Sequence, residues 1–112
     1  HHCFNIVSEH DGRPGAVLIR GLDHIAHAAG PARTCRAVHL TLQDNGRDLD
    51  TDPALWVAAG WRHREERIIQ TTRIGIRTAV TLPRRYYLLD SPGVSKRDRR
   101  AENKVTGEKR RA

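Results

Sequence analysis

Two short apolar segments flanking one turn constrain this chain more than any other feature. Cys3, Phe4, Ile6 and Val7 surround Asn5, and Ala16-Val17-Leu18-Ile19-Arg20 follows a stretch, Glu9-His10-Asp11-Gly12-Arg13-Pro14-Gly15, rich in turn residues. Glycine and proline supply the special backbone angles a reversal needs. Two apolar runs of strand length on either side of such a reversal fold as an antiparallel hairpin, with strands over 2–8 and 16–20.

Downstream, the pattern changes period. Gly30-Pro31 opens a helix, with proline at the first helical position, where its missing N–H costs nothing. Cys35, Val38 and Leu42 recur at helical spacing and form one apolar face. Asp44-Asn45-Gly46 is the expected stop. A second short helix is expected from Asp52-Pro53 to Gly60, burying Leu55, Trp56 and Ala59. The charged stretch 62–67 reads as a loop. Strands are expected at Arg73–Ile76, Ala79–Leu82 and Tyr86–Leu89. The fold class is therefore mixed α+β: a small curved antiparallel sheet with a few short helices.

The charge is unevenly distributed. Residues 1–90 hold 12 basic and 10 acidic side chains, whereas residues 91–112 hold 8 basic and 3 acidic. A near-neutral body over 1–97 is followed by a basic tail over 98–112, expected to be disordered. Such a tail is either a solubilising end or a match for phosphate-rich partners. With two cysteines in 112 residues there is no disulfide framework, and Cys35 reads as core. No apolar run approaches the roughly 20 residues a membrane helix needs, and no signal peptide is visible, so the expectation is a soluble, cytoplasmic protein. His1-His2-Cys3 and His24-x-x-His27 lack the ligand spacing of a structural zinc site, so no metal is expected.

Asn5 and Arg20 are polar residues inside apolar strands. Each either lies at a solvent-facing edge or faces a pocket, where it needs a partner. Gly75, within Ile74-Gly75-Ile76, permits close approach of a backbone or a ligand. By themselves these signals reach a small basic α/β domain suited to nucleic acid.

Four segments, in order, resemble the alkyladenine (3-methyladenine) DNA glycosylases. They are His2-Cys3-Phe4-Asn5-Ile6-Val7 with Gly15-Ala16-Val17-Leu18-Ile19-Arg20; Gly30-Pro31-Ala32-Arg33-Thr34-Cys35-Arg36-Ala37; Asp44-Asn45-Gly46-Arg47-Asp48-Leu49; and Arg73-Ile74-Gly75-Ile76 with Leu82-Pro83-Arg84-Arg85-Tyr86-Tyr87-Leu88 and Ser91-Pro92-Gly93-Val94-Ser95. The resemblance runs over about residues 1–97. It implies a base-excision repair enzyme that flips a damaged purine out of duplex DNA into a pocket, where a carboxylate-activated water attacks the sugar C1′. It implies no metal, no cofactor and no obligate protein partner, and a substrate of double-stranded DNA with alkylated or deaminated purines. Localisation would be cytoplasmic, with the nucleoid if the source is bacterial.

By the same resemblance, Asn5 is the pocket residue that crowds the 2-amino group of guanine. Arg20 helps hold the nucleophilic water, and the main-chain carbonyl of Ile74 contacts it as well. Arg33 matches a basic position that touches a phosphate, and by their charge alone Lys96 and Arg97, after Ser95, are expected to contact DNA phosphates as well. The segment bearing the family's catalytic Glu has no counterpart here, and Glu9, Glu65 and Glu66 lie outside the matching motifs. The stretch between Arg20 and Gly30 is shorter than the family's. Arg84 stands where the family has Trp and Thr34 where it has Leu. The expectation is a domain incomplete relative to the family's, inactive alone, a fragment or a degraded copy. The competing expectation is a non-catalytic basic nucleic-acid-binding module.

Overall fold

The hairpin forms as its turn chemistry dictates. In the computed structural model, which describes residues 2–10, 12–60, 63–64, 67–74 and 82–110, strand β1 (Phe4–Val7) pairs antiparallel with β2 (Ala16–Ile19). The register sets Asn5 opposite Leu18 and Phe4 opposite Ile19. Side chains alternate between faces of a strand. Phe4 and Ile6 are accordingly half-buried on one face, while Asn5 and Val7 are exposed on the other.

Helix α1 (Pro31–Ala37) starts where the Gly-Pro pair predicts, with Gly30 at its N-cap and φ of 107°. Thr34, in place of the family's Leu, is fully buried, and its hydroxyl donates to the carbonyls of Gly30 (2.8 Å) and Ala28 (3.3 Å). Cys35 is buried, as expected of core, and α1 packs on both strands of the hairpin.

The helix ends well before Asn45. His39 adopts a left-handed φ of 58°, the Leu40 N–H donates to Cys35 O (2.9 Å) and the His39 N–H to Arg36 O (3.2 Å). This paired closure is the Schellman motif, usually built on glycine. Leu42 therefore leaves the helix and is 73% exposed. A single 3₁₀ turn, Leu42–Asp44, follows, with Thr41 and Asp44 in a reciprocal capping box.

The second expected helix does not form. The Asp52 carboxylate accepts from the N–H groups of Ala54 and Leu55, as an N-cap would. The Val57 N–H then turns back to Leu49 O (3.0 Å) instead of continuing a helix. Trp56 and Ala59, expected in the core, are exposed, and Leu55 is half-buried.

The second sheet pairs β3 (Ile68–Thr71) with β4 (Arg85–Leu88), again antiparallel. β3 falls where a loop merged into unassigned sequence, because the Ile68-Ile69 doublet hides the alternation. In the fold Ile69 is 1% exposed and Thr71 buried, while Ile68 and Gln70 face out. Arg73 and Ile74 lie past the end of β3, outside any strand. The next hydrogen-bonded pair in this register would set Arg73 opposite Pro83, which has no N–H to donate, and the Thr72 carbonyl instead accepts from the Arg85 Nε (2.8 Å). Most of the remaining strand expectation, over 75–81, lies outside the described residues. The α+β class and the antiparallel pairing stand, with the pairing among the described residues divided between two two-stranded sheets.

Residues 99–110 fall within the stretch expected as a basic tail. They form α2 (Arg99–Arg110). Asp98 caps it, its Oδ1 accepting from the Ala101 N–H (3.1 Å) and its other oxygen from the Thr71 hydroxyl. Apolar periodicity missed this helix because its inward face is mostly polar. Glu102 is 7% exposed and carries its own partners inward, accepting from the Tyr87 phenol (2.5 Å).

Candidate functional site

Strand alternation, continued one residue past β2, puts Arg20 on the face that carries Asn5 and Leu18. Diagonal neighbours of this kind lie about 7–8 Å apart. Asn5 is exposed, and the residues of β1 line an open groove whose other wall comes from 40–50, Leu55 and Val57. Arg20 is half-buried. Burial first, then the nearby positive charge of Arg85, hold its guanidinium below its ordinary value, while Cys3 opposes them.

Arg85, whose charge acts on Arg20, opens β4 of the second sheet. Its Nε donates to Thr72 O and another guanidinium nitrogen to Lys96 O, each at 2.8 Å, and the group lies 5.5 Å from the centre of the Tyr87 ring. Thr72 is two residues before Ile74, which is half-buried in a bend. Of the expected site residues, Asn5 and Arg20 share one strand face, Arg20 feels the charge of Arg85, and Ile74 follows two residues after the Thr72 carbonyl that Arg85 holds. Reasoning from sequence passed over Arg85. The signals it carried were its place in the Leu82–Leu88 motif and in the alternating Arg85-Tyr86-Tyr87-Leu88 run.

The floor of this region is a backbone contact. A side-chain carbon on Gly21 would overlap the Gly93 carbonyl, and one on Gly93 would meet Leu22 O at 2.5 Å. The Ser91 hydroxyl donates to Asp23 (2.8 Å) and accepts from the Gly93 N–H (3.1 Å). The loop from Arg20 to Gly30 is short and tight. Gly30 N–H donates to Arg20 O (2.8 Å) and Leu22 N–H to Ala28 O (3.0 Å), with His24 and His27 both at left-handed φ near 60°. These two histidines are exposed and serve a reversal. Among the described residues no cluster of three or more His, Cys, Asp or Glu could hold a metal.

The expected phosphate contacts divide. Arg33 is exposed on the first turn of α1, and Lys96 is exposed just before α2. Arg97 is turned inward. It donates to Leu89 O (2.5 Å) and Ser91 O (2.7 Å) and lies 3.5 Å from Glu102, so its guanidinium is engaged within the 89–102 segment. Of the glutamates outside the motifs, Glu9 is exposed at the hairpin turn, with its side chain against Gly15; 65 and 66 lie outside the described residues. Among the described residues no helix is long and apolar enough to cross a membrane.

The methylpurine-DNA glycosylase family model matches residues 1–92, and the chain belongs to that family. Among curated proteins it is 42% identical over 112 residues to a Synechococcus elongatus protein, covering 96% of this chain and 57% of that one. It is 35% identical to proteins of Carboxydothermus hydrogenoformans (87% of this chain, 59% of that one) and Trichodesmium erythraeum (86% and 59%). All three carry the name "Putative 3-methyladenine DNA glycosylase". The chain thus spans less than two thirds of the length of these relatives. No solved structure matches it.

Proposed function

We propose that these residues supply one wall of the base pocket, and part of the water-holding machinery, of a DNA-3-methyladenine glycosylase of base-excision repair. What supports this is Arg20 on the strand face that carries Asn5, under the charge of an Arg85 that holds the Thr72 carbonyl, within a chain that belongs to the family over residues 1–92. The substrate is an alkylated or deaminated purine in duplex DNA, acting as a flipped nucleotide because stacking hides the sugar bond from attack. Arg20 and the Ile74 carbonyl hold the attacking water. The bond from its oxygen to C1′ forms as the C1′–nitrogen bond to the purine breaks, and the base leaves with that electron pair. Asn5 crowds the 2-amino group of guanine and so protects the normal base. Arg33 and Lys96 steady the DNA through phosphates. No residue of these 112 is assigned as the carboxylate that activates the water, and such acid–base help contributes about 10²–10⁴-fold. The site of action is the DNA itself, in the cytoplasm, and with the nucleoid if the source is bacterial.

A hybrid tests this: residues 1–97 replacing the corresponding segment of the Synechococcus elongatus relative, assayed by base release from a hypoxanthine-containing duplex. The hybrid should release base, Arg20→Gln in it should lose about 10²-fold in kcat, and the 112-residue chain alone should release none. A folded hybrid without activity, binding damaged and undamaged duplex alike, would favour a non-catalytic basic module.

A further inference from the structure

α2 lies past residue 92, where the family match ends, and its chemistry is two-sided. The inward side holds Glu102, Val105 and Thr106, which are buried or half-buried, and α2 packs against β3. The outward side carries Arg100 and Lys104, both exposed, with exposed Arg99 and Lys96 near its start. Arg100 and Lys104 are one turn apart, about 5–6 Å between side-chain roots. Among the described residues neither has a carboxylate or carbonyl partner at its charged group, and Arg99 has only a 3.8 Å approach to Glu102. Glu102, the first-turn acid of α2, cannot neutralise the outward face, because it is turned onto Tyr87 and Arg97. Asp98, Tyr87 and Arg97 hold the start of the helix against the sheet. That start adjoins Arg85, through Lys96 O.

We infer that the outward face of α2, led by Arg100 and Lys104, is a rigid contact for the sugar–phosphate backbone of duplex DNA, flanking the pocket face and blind to sequence. This rests on the glycosylase reading for its placement beside a flipped base. The argument for duplex DNA as the occupant is charge complementarity. Cations one helical turn apart on a fixed helix face a polyanion with a charge every 1.7 Å or so of axis, and each phosphate neutralised releases a counterion.

The test is fluorescence anisotropy of the whole 112-residue chain on a short mixed-sequence duplex, with and without hypoxanthine, between about 50 and 200 mM salt. Arg100→Gln with Lys104→Gln should weaken binding to both duplexes by the same factor and reduce the log–log salt slope by about 0.9 per cation removed. Arg100→Lys with Lys104→Arg should retain the slope, and far-ultraviolet circular dichroism should show unchanged helix in both. An unchanged slope in the neutralised variant overturns the inference, as does tighter binding to anionic vesicles than to duplex. If the neutralised variant loses affinity while the hybrid releases no base, the surface stands and the glycosylase reading fails. If the hybrid is active and the neutralised variant binds like the parent, the reverse holds.

Discussion

The phenol of Tyr87 donates to the Glu102 carboxylate at 2.5 Å and accepts the Asp98 N–H at 2.9 Å, joining β4 to the first turn of α2. Hydrogen bonds to charged groups contribute about 1.5–3 kcal/mol each, and a buried acceptor left unmatched costs its desolvation. Tyr87→Phe should therefore lower stability by roughly 2 kcal/mol. In urea unfolding the midpoint should fall while the slope stays the same; a midpoint equal to the parent's would remove Tyr87 from the account.

The same junction sets the pH dependence. The Thr71 hydroxyl, then the Ala101 N–H, hold Asp98 below the usual carboxylate range. A depressed pKa contributes stability that is present above the unfolded value, about 3.9, and is lost as pH falls through the folded value. Tyr87 is shifted the other way, raised first by burial and then by its bond to Glu102. Its contribution is whole below the unfolded value of about 10 and is lost as pH rises through the folded one. Thermal melts across pH should fall off at both ends, with Asp98→Asn flattening the acid limb and Tyr87→Phe the alkaline limb.

The close approach of Gly21 to Gly93 leaves no room for a methyl group. Gly21→Ala should cost about 1–3 kcal/mol, as overpacking does. At Gly60 a methyl group would have nothing within 4 Å, so Gly60→Ala should be neutral or stabilise by about 0.4–1 kcal/mol through the unfolded chain. Equal effects at the two positions, read from chemical denaturation, would show that the 21–93 contact carries no weight.

These positions also show what was legible in the sequence. The hairpin and the opening of α1 were readable because glycine and proline mark them locally. The end of α1 was not, because His39 takes the left-handed position where glycine is the usual sign. The 52–60 helix was a false expectation because Leu49 O, a non-local acceptor, captures the Val57 N–H. α2 was hidden because its buried face is held by Glu102, Tyr87 and Arg97 and not by an apolar stripe. In the candidate site, Asn5 and Arg20 stood out as polar residues in apolar strands, whereas nothing local in the sequence marks the bonds of Arg85 to the carbonyls of Thr72 and Lys96.

Arg97 separates a structural cation from a DNA-binding one. Arg97→Gln breaks the bonds to Leu89 O and Ser91 O and leaves Glu102 without that cation. Stability should drop by about 2 kcal/mol, with the salt slope of duplex binding unchanged. A reduced slope at unaltered stability would restore Arg97 to the phosphate-contacting set.

The central claim is that the face bearing Asn5 and Arg20 is a wall of the base pocket. The most direct measurement is the ratio of guanine to hypoxanthine release from matched duplexes by the hybrid carrying Asn5→Ala. Removing a group that excludes the 2-amino substituent should raise that ratio by at least about tenfold, the scale of discrimination one small steric group provides, with hypoxanthine release retained. A ratio identical to that of the Asn5 hybrid would contradict the assignment and move the purine pocket away from β1.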